Sequence, residues 1–481
     1  GIMTIHVPHT ATEVARTDYA RPHARIHLNV FQPFGPVYEW SRTPRSRDFY
    51  EPDKYVELVR DAERGLFSAV FLGESLRLRE HLGRLNDIAV TGRPDALALF
   101  AHLAAHTEHI GLVATLNTTY TDPVDLARRI ATVDVLSGGR AGWNVVTTDN
   151  AWTGENFRRG GFLAREHRYT YAEEHVAAVQ ALWDGFPSSA VATDREGTSW
   201  AKESAVSEVV RNGPHLDLRA VPQVAGSPQG QPIYFQAGDS DEGRDFAARR
   251  AEGIFTHHVQ FDDAVEFTAD MRARARRYGR PGDDLLVIPG ASIVVAPTHK
   301  EAEEKSRYYQ ELFLNDRRIQ QTIEAVWQQD LSHVDLDGPL PEAPPAKEEQ
   351  SHTHGIVHTG HDPASKIREW KTVAQRHGLT SIRQVVHHLV GERDFVGSAG
   401  EVADQLAHHV RSDAFDGLNV SPHAFPDGLT EIVDLLVPEL QERGVYPESY
   451  AGTTLRENLG LPETVAHRVP APTPRRATVP A

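Results

Sequence analysis

Residues 110–148 read IGLVATLNTTYTDPVDLARRIATVDVLSGGRAGWNVVTT, and this stretch decides the fold. The apolar run Ile110 to Leu116 is the length of a buried strand and too short for a core helix. Pro123 then opens a stretch of helical period that Gly138 and Gly139 close, proline suiting a first helical turn and glycine the residue past a last one. A second run of strand-forming residues, Gly142 to Thr148, follows immediately. Strand, helix, strand with a crossover of that length implies parallel pairing.

The same alternation extends both ways. Towards the N-terminus lie the strand-like runs Ile26 to Phe31 and Ala69 to Glu74, with helical stretches from Pro52 and around Asp95 to Thr107. Towards the C-terminus come a helix over Glu166 to Trp183, a strand over Pro232 to Ala237 and a helix from Ser240. A strand at Gly253 to His257, a helix around Asp262 to Arg277, a strand over Leu285 to Ala296 and a helix over Lys300 to Leu314 continue the pattern. Phe415 to Val420 and the helical stretch Leu429 to Arg443 end it. Eight such units predict an α/β fold closed into a (β/α)8 TIM barrel rather than an open doubly wound sheet.

A barrel of this kind takes about 250 residues, and the chain has 481. The expected organisation is one barrel domain over 26–465. Its surplus falls in two insertions, 186–230 after the fourth helix and 316–398 after the seventh. Residues 1–25 read as an N-terminal extension, with Gly1 and Ile2 ahead of Met3 as residues left by cloning. The Pro- and Arg-rich stretch 466–481 reads as a disordered tail.

Composition narrows the chemistry. There is no cysteine, which excludes a thiol nucleophile, a disulfide framework and Cys-ligated zinc or iron–sulfur centres. The net charge of −17 argues against sequence-independent nucleic-acid binding, which needs clustered Lys and Arg against phosphate. No run approaches the apolar length of a membrane span and the start lacks a signal-peptide pattern, so a cytoplasmic protein is expected. Only seven of the 50 basic residues are lysine, a bias that a GC-rich genome explains.

In such barrels the chemistry sits at the C-terminal ends of the strands. Those positions hold Glu74 and Ser75; Thr115, Asn117, Thr118 and Thr119; Asn144, Thr147 and Thr148; Gly238, Asp239 and Ser240; and Ser421 with His423. A rim of hydroxyls and amides suits a cofactor that brings its own reactivity better than it suits hydrolysis. In QAGDSDEGRDFAARR (236–250) a strand runs through Gly238 into Ser240 at a helix start, where free N–H groups bind anions; Arg244 is a candidate phosphate contact. The bland reading is a capped helix and a turn. His352, His354, His358 and His361 in SHTHGIVHTGH read either as a substrate-lining loop, His352 and His354 foremost, or as a metal cluster; without placed carboxylates no metal is expected. The pairs His257–His258 and His387–His388 read as ordinary strand-end and helix-surface residues.

Taken together, several stretches resemble the bacterial-luciferase-like flavin-dependent monooxygenases, in the branch of nitrilotriacetate monooxygenase, dibenzothiophene sulfone monooxygenase and pristinamycin synthase. They are FLGES (71–75), HTEHIGLVATLNTTYTDPVDLARR (106–129), LSGGRAGWNVVTT (136–148), RYTYAEE (168–174), QGQPIYFQAGDSDEGRDFAARRAEGIF (229–255), DLSHVDLDGPLP (330–341) and VPELQERGVYPESYAGTTLRENLGL (437–461). The resemblance implies a barrel that binds FMN, as FMNH2 supplied by a separate flavin reductase, with O2 as co-substrate and a small organic substrate.

By position, the resemblance makes Ser240 the phosphate-binding serine with Asp239 beside it. It places Glu74, Thr115, Arg165 and Tyr169 at flavin contacts. Two departures stand out: Glu74 replaces the usual aspartate, and Arg165 replaces the usual histidine, with His167 nearby. Thr115 and Asn144 match a catalytic pair that lines an oxygen pocket beside flavin N5, which implies oxygen insertion through a flavin peroxide; the C4a and N5 positions both stay open, the pair favouring N5. A homo-oligomer, dimer or tetramer, is the family's expectation. Two alternatives stay open, a deazaflavin-dependent oxidoreductase on the same fold and a non-catalytic flavin carrier.

Overall fold

The computed structural model describes residues 18–31, 39–40, 52–86, 93–147, 151–158, 165–191, 199–345, 363–391, 393–463 and 475–476. Eight parallel strands pair in chain order: β1 (His27–Phe31), β2 (Ala69–Leu72), β3 (Gly111–Asn117), β4 (Ala141–Val146), β5 (Ile233–Ala237), β6 (Gly253–Thr256), β7 (Leu286–Ala296) and β8 (Gly417–Pro422). β8 returns to β1 with His27 opposite Gly417, so the barrel is closed. Every run read as a strand from sequence is one of these.

Parity along each strand decides which side chains face the axis. Leu28, Val30, Val70, Leu72, Leu112 and Ala114 point outward into the main core under the helices, while Phe31, Phe71, Val113, Ile233, Phe235, Phe255 and Ile288 fill the interior. Followed around the barrel, the pairing register carries Asn29 back to Arg21 on β1, a displacement of eight residues, which is the stagger of a TIM barrel. That stagger sets Phe71, Asn144, Phe255 and Asn419 in one layer, with Thr115 and Gly290 in the layer above. The Phe71 and Phe255 rings meet with centroids 4.2 Å apart, closing the middle of that layer.

The outer helices form where the sequence signals put them: α1 (Pro52–Arg64), α2 (Ala96–Ala104), α3 (Pro123–Leu136), α4 (Arg165–Asp184), α5 (Asp241–Arg250) and α6 (Phe261–Arg277). α3 begins at Pro123 under an Asp122 cap, and Gly138 and Gly139 follow its end at φ +70° and +94°. The last crossover departs from expectation. The helix read as the seventh, α7 (His299–Phe313), buries only Ala302 and Ser306. A later helix delivers Val402, Ala403, Leu406, Ala407 and Val410 to the main core before β8.

Between α7 and that later helix stand α8 (Asp316–Trp327), α9 (Pro363–Arg376) and α10 (Ile382–Val386), the later helix being α11 (Ala399–Arg411). α8, α9 and α10 have a core of their own around Ile319, Ile323, Trp327, Ile367, Trp370, Ile382 and Val386. A short strand, Phe395–Ser398, pairs with the C-terminal half of β7. In the 186–230 segment the hairpin Ser207–Asn212 and Asp217–Ala220 is antiparallel, and Arg475–Arg476 pairs with its first strand.

The N-terminal opening of the barrel is plugged by Leu455, Leu459 and Leu461. Leu455 presses so near Gly111 that a Cβ there would lie 2.5 Å from its Cδ1. Arg456 pairs with Glu252 at 2.6 Å, the two side chains 4% and 1% exposed. The TTLRENLGL segment therefore seals the base, which leaves the C-terminal mouth for function. No helix among the described residues is long and apolar enough to cross a membrane.

Candidate active site

Thr115 and Asn144 stand opposite one another on β3 and β4 and both face the interior. Asn144 Nδ2 donates to Thr115 Oγ1 at 3.0 Å. That bond turns the carboxamide so that Asn144 Oδ1 has no partner although it is buried. The Thr115 hydroxyl, already accepting one bond, keeps its own proton to donate. The pair thus offers a donor and an acceptor side by side, and one N–H of Asn144 is already used.

Glu74, just past β2, is not isolated either. Asn117 Nδ2 donates to its Oε1 at 2.9 Å, and Asn117 Oδ1 accepts from Tyr120 N. Burial pushes the Glu74 carboxyl up to about 7 against the lowering effect of that bond. Asn117 was legible only as a rim amide; its role as the carboxylate's partner depends on β2 and β3 being neighbours.

Across the mouth, Ser240 caps α5, its Oγ accepting from Gly243 N at 3.0 Å. A Cβ on Gly243 would lie 2.8 Å from the Tyr169 hydroxyl, so glycine here makes room for Tyr169 to reach the helix start. Hydroxyls from α4 and α5 therefore converge on free N–H groups at a helix N-terminus, an anion cradle. The Arg168 guanidinium lies 4.8 Å from the centre of the Tyr169 ring. Arg165 opens α4, and its side chain lies outside the described residues.

Asp239 carries two bonds, from Arg244 Nη2 and from His258 Nε2, both at 2.8 Å. Burial raises its carboxyl, but those two bonds outweigh it and hold the group below its ordinary value. Arg244, read from sequence as a phosphate contact, is corrected by this geometry: its other arm is bonded to Asp270 at 2.9 Å. Its charge is thus shared between two carboxylates. His352, His354, His358 and His361, with Thr148, lie outside the described residues.

Three features escaped sequence reasoning. Both polar atoms of Asn29 and the Oδ1 of Asn419 have no partner in the barrel interior. Gly290, opposite Asn419, is exposed within a strand whose neighbours are buried, and a Cβ added there meets nothing nearer than 4.0 Å. Lone asparagines alternating with apolar residues, as in IHLNVF and FDGLNV, are the signal that could have found the first two. His423, beyond β8, is buried against Tyr309, and burial lowers its imidazole to about 3, so it is neutral.

Comparisons with known proteins agree with this architecture. The sequence profile described as luciferase-like monooxygenase matches residues 36–417. Nitrilotriacetate monooxygenase component A of Aminobacter aminovorans is 35% identical over 446 residues, covering 90% of this chain and 95% of that protein. One of the subunits of pristinamycin IIA synthase from Streptomyces pristinaespiralis is 36% identical over 446 residues, covering 92% and 97%. The solved EDTA monooxygenase of Chelativorans sp. BNC1 superposes with a TM-score of 0.69 at 29% identity, covering 91% and 99%. Barrel, strand-end amides and full-length similarity lead to one assignment: the chain belongs to the luciferase-like monooxygenase family and is an oxidoreductase of the monooxygenase type.

Proposed function

We propose that this chain is the oxygenase component of a two-component system, using reduced FMN delivered by a separate flavin reductase to insert one atom of O2 into a small organic substrate. The observation that carries the reading is the Thr115–Asn144 pair, with its unpartnered carboxamide oxygen in the barrel interior. The residues present fit a flavin mononucleotide. Ser240, Tyr169 and the α5 N-terminus form a phosphate cradle, Gly290 leaves interior space, and Asn144 Oδ1 can accept from a ring N–H. Reduced flavin, when bound, supplies the two electrons that activate oxygen.

The protein's own contribution is placement and exclusion of water. Thr115 donates from Oγ1 to a developing oxygen anion, held by the bond from Asn144 so that no reorganisation is needed. Glu74, raised by burial to about 7, holds or releases a proton at Oε2, with Asn117 fixing the carboxyl through Oε1. Asp239 flanks the cradle at the phosphate end, and Arg165, at the start of α4, is the further flavin contact that the resemblance assigns. His352 and His354 belong to the stretch of the second insertion proposed to face the substrate. A relative named as component A of a monooxygenase supports a reductase partner in trans.

The deciding experiment mixes anaerobic protein and reduced FMN with O2 in a stopped-flow instrument, followed by a substrate screen with a generic flavin reductase and 18O2. The expected outcome is flavin reoxidation distinct from that of free FMN and one labelled atom in product. Reoxidation identical to free flavin, with no product from any substrate class, would sink the reading.

A further inference from the structure

We propose that Asp239, His257 and His258 form a binding site for a borderline divalent cation, of the Zn2+, Co2+ or Ni2+ class, at the rim of the barrel mouth. The donor geometry is independent of the flavin reading. β5 and β6 are neighbours with Ala237 opposite Phe255, so the residues two further on, Asp239 and His257, leave the sheet side by side. His258 follows directly. One ligand atom from each of the three lies within 4.8 Å of the others. His258 Nε2 is 2.8 Å from Asp239 Oδ1, and His257 Nε2 is 3.9 Å from Asp239 Oδ2. A tetrahedral ion with bonds of about 2.1 Å needs donors about 3.4 Å apart, and these separations bracket that value.

The surroundings of His258 distinguish this group from a chance cluster. Its other ring nitrogen, Nδ1, is bonded to Asp263 Oδ2 at 2.6 Å. This carboxylate–histidine arrangement holds Nδ1 and orients the ring so that Nε2 faces Asp239, where a cation would take the place of the proton that Nε2 now gives to Asp239 Oδ1. The imidazole is also stacked on Phe267, centroids 4.6 Å apart and planes 19° from parallel. Asp239 is steadied by Arg244, whose charge Asp270 balances on the far side.

Two imidazoles and one carboxylate select a borderline cation over Mg2+ or Ca2+, which take oxygen ligands. Three protein ligands leave a fourth position open, and Asp239 and His257 are both exposed, so that position faces solvent beside Ser240. An anionic oxygen or a water completes the sphere. The two histidines look ordinary in the sequence because their carboxylate lies 18 and 19 residues upstream, on another strand's end.

The test uses the full chain stripped with EDTA and titrated with Co2+, followed by its visible bands, and with Zn2+ by calorimetry. One equivalent binding at micromolar Kd or tighter is expected. His258→Gln and Asp239→Asn should each weaken it at least tenfold, and Asp263→Asn by 10- to 100-fold with the visible bands retained. His257→Gln, on an exposed side chain, leaves folding intact and should also weaken binding at least tenfold. A chain with His352, His354, His358 and His361 all changed to Asn should keep the equivalent. Absence of binding in the unaltered chain overturns the proposal. So does unchanged affinity in His257→Gln, or loss of the equivalent in the four-histidine variant.

Discussion

Asn117 on β3 donates an amide hydrogen to Glu74 beyond β2, at 2.9 Å, and so orients a carboxyl that burial has raised to about 7. Its folded-state pKa is above the ordinary 4.5, so the folded protein binds more protons between these values than the unfolded chain. Stability contributed by the protonated form is therefore complete below about pH 4.5 and is lost as pH rises towards 7. Asp134, raised by burial to about 6, adds a loss of the same sign at lower pH. Glu74→Gln isolates the Glu74 share. Urea unfolding at pH 5 and pH 7.5 should show a smaller difference for Glu74→Gln than for the unaltered chain, by about 2–3 kcal/mol. Equal differences in the two proteins would refute a buried, raised carboxyl.

At the cradle, two roles of Ser240 can be separated. As the cap of α5 it accepts from Gly243 N, so Ser240→Ala should cost about 1 kcal/mol of stability. As a phosphate contact it should matter for FMN and not for riboflavin, which lacks the phosphate. Fluorescence titration of Ser240→Ala should show FMN affinity reduced at least tenfold and riboflavin affinity within about twofold of the unaltered chain. Equal losses for both flavins would leave only the capping role. Gly243→Ala, whose methyl would meet the Tyr169 hydroxyl at 2.8 Å, should show the same phosphate-selective loss.

The barrel was legible because its strands are apolar on both faces and punctuated by Pro and Gly, so each β-run and α3 declare themselves locally. Ser240 was legible for a similar reason: a strand, a glycine and a hydroxyl at a helix start are adjacent in the chain. What was not legible depends on closure. Asn117 with Glu74, or Asp239 with His258, meet only because neighbouring strands bring distant residues level. α11 was missed because the amphipathic α7 took its place in the count, and nothing local shows that α7 buries just Ala302 and Ser306. The second core around Trp327 and Trp370 joins helices that the Pro- and acid-rich stretch separates, so no single window reveals it.

The base of the barrel should be the costliest place to disturb. Arg456 pairs with Glu252 and also donates to the carbonyls of Gln229 and Gln231, all buried. Arg456→Met leaves the Glu252 carboxylate, 1% exposed, with the Tyr234 amide as its hydrogen-bond donor among the described residues and Arg280 as a more distant charge. Breaking a buried pair from one side costs about 3–5 kcal/mol. Adding Glu252→Gln should restore part of that loss, since a neutral amide is cheaper to bury than a charge. Denaturant midpoints of the single and double variants check this, and a double variant less stable than Arg456→Met would contradict it.

Thr115 and Asn144 should govern what becomes of activated oxygen more than how tightly flavin binds. Thr115→Val is nearly the same shape but removes the hydroxyl that Asn144 bonds, leaving a buried N–H without its acceptor at a cost of about 1–3 kcal/mol. Asn144→Leu removes both the donor and the unpartnered carboxamide oxygen. Neither change touches the Ser240 cradle on β5 and α5, so FMN affinity should fall by no more than about tenfold, the worth of one lost ring contact. Once a substrate is in hand, product per O2 consumed should fall at least tenfold in each, with the lost oxygen appearing as hydrogen peroxide. The pair acts as one unit, so the double variant should be no worse than the poorer single one, the non-additivity expected of residues sharing a bond. Fully additive losses, or coupling preserved in Thr115→Val, would mean that the bond between them is structural only.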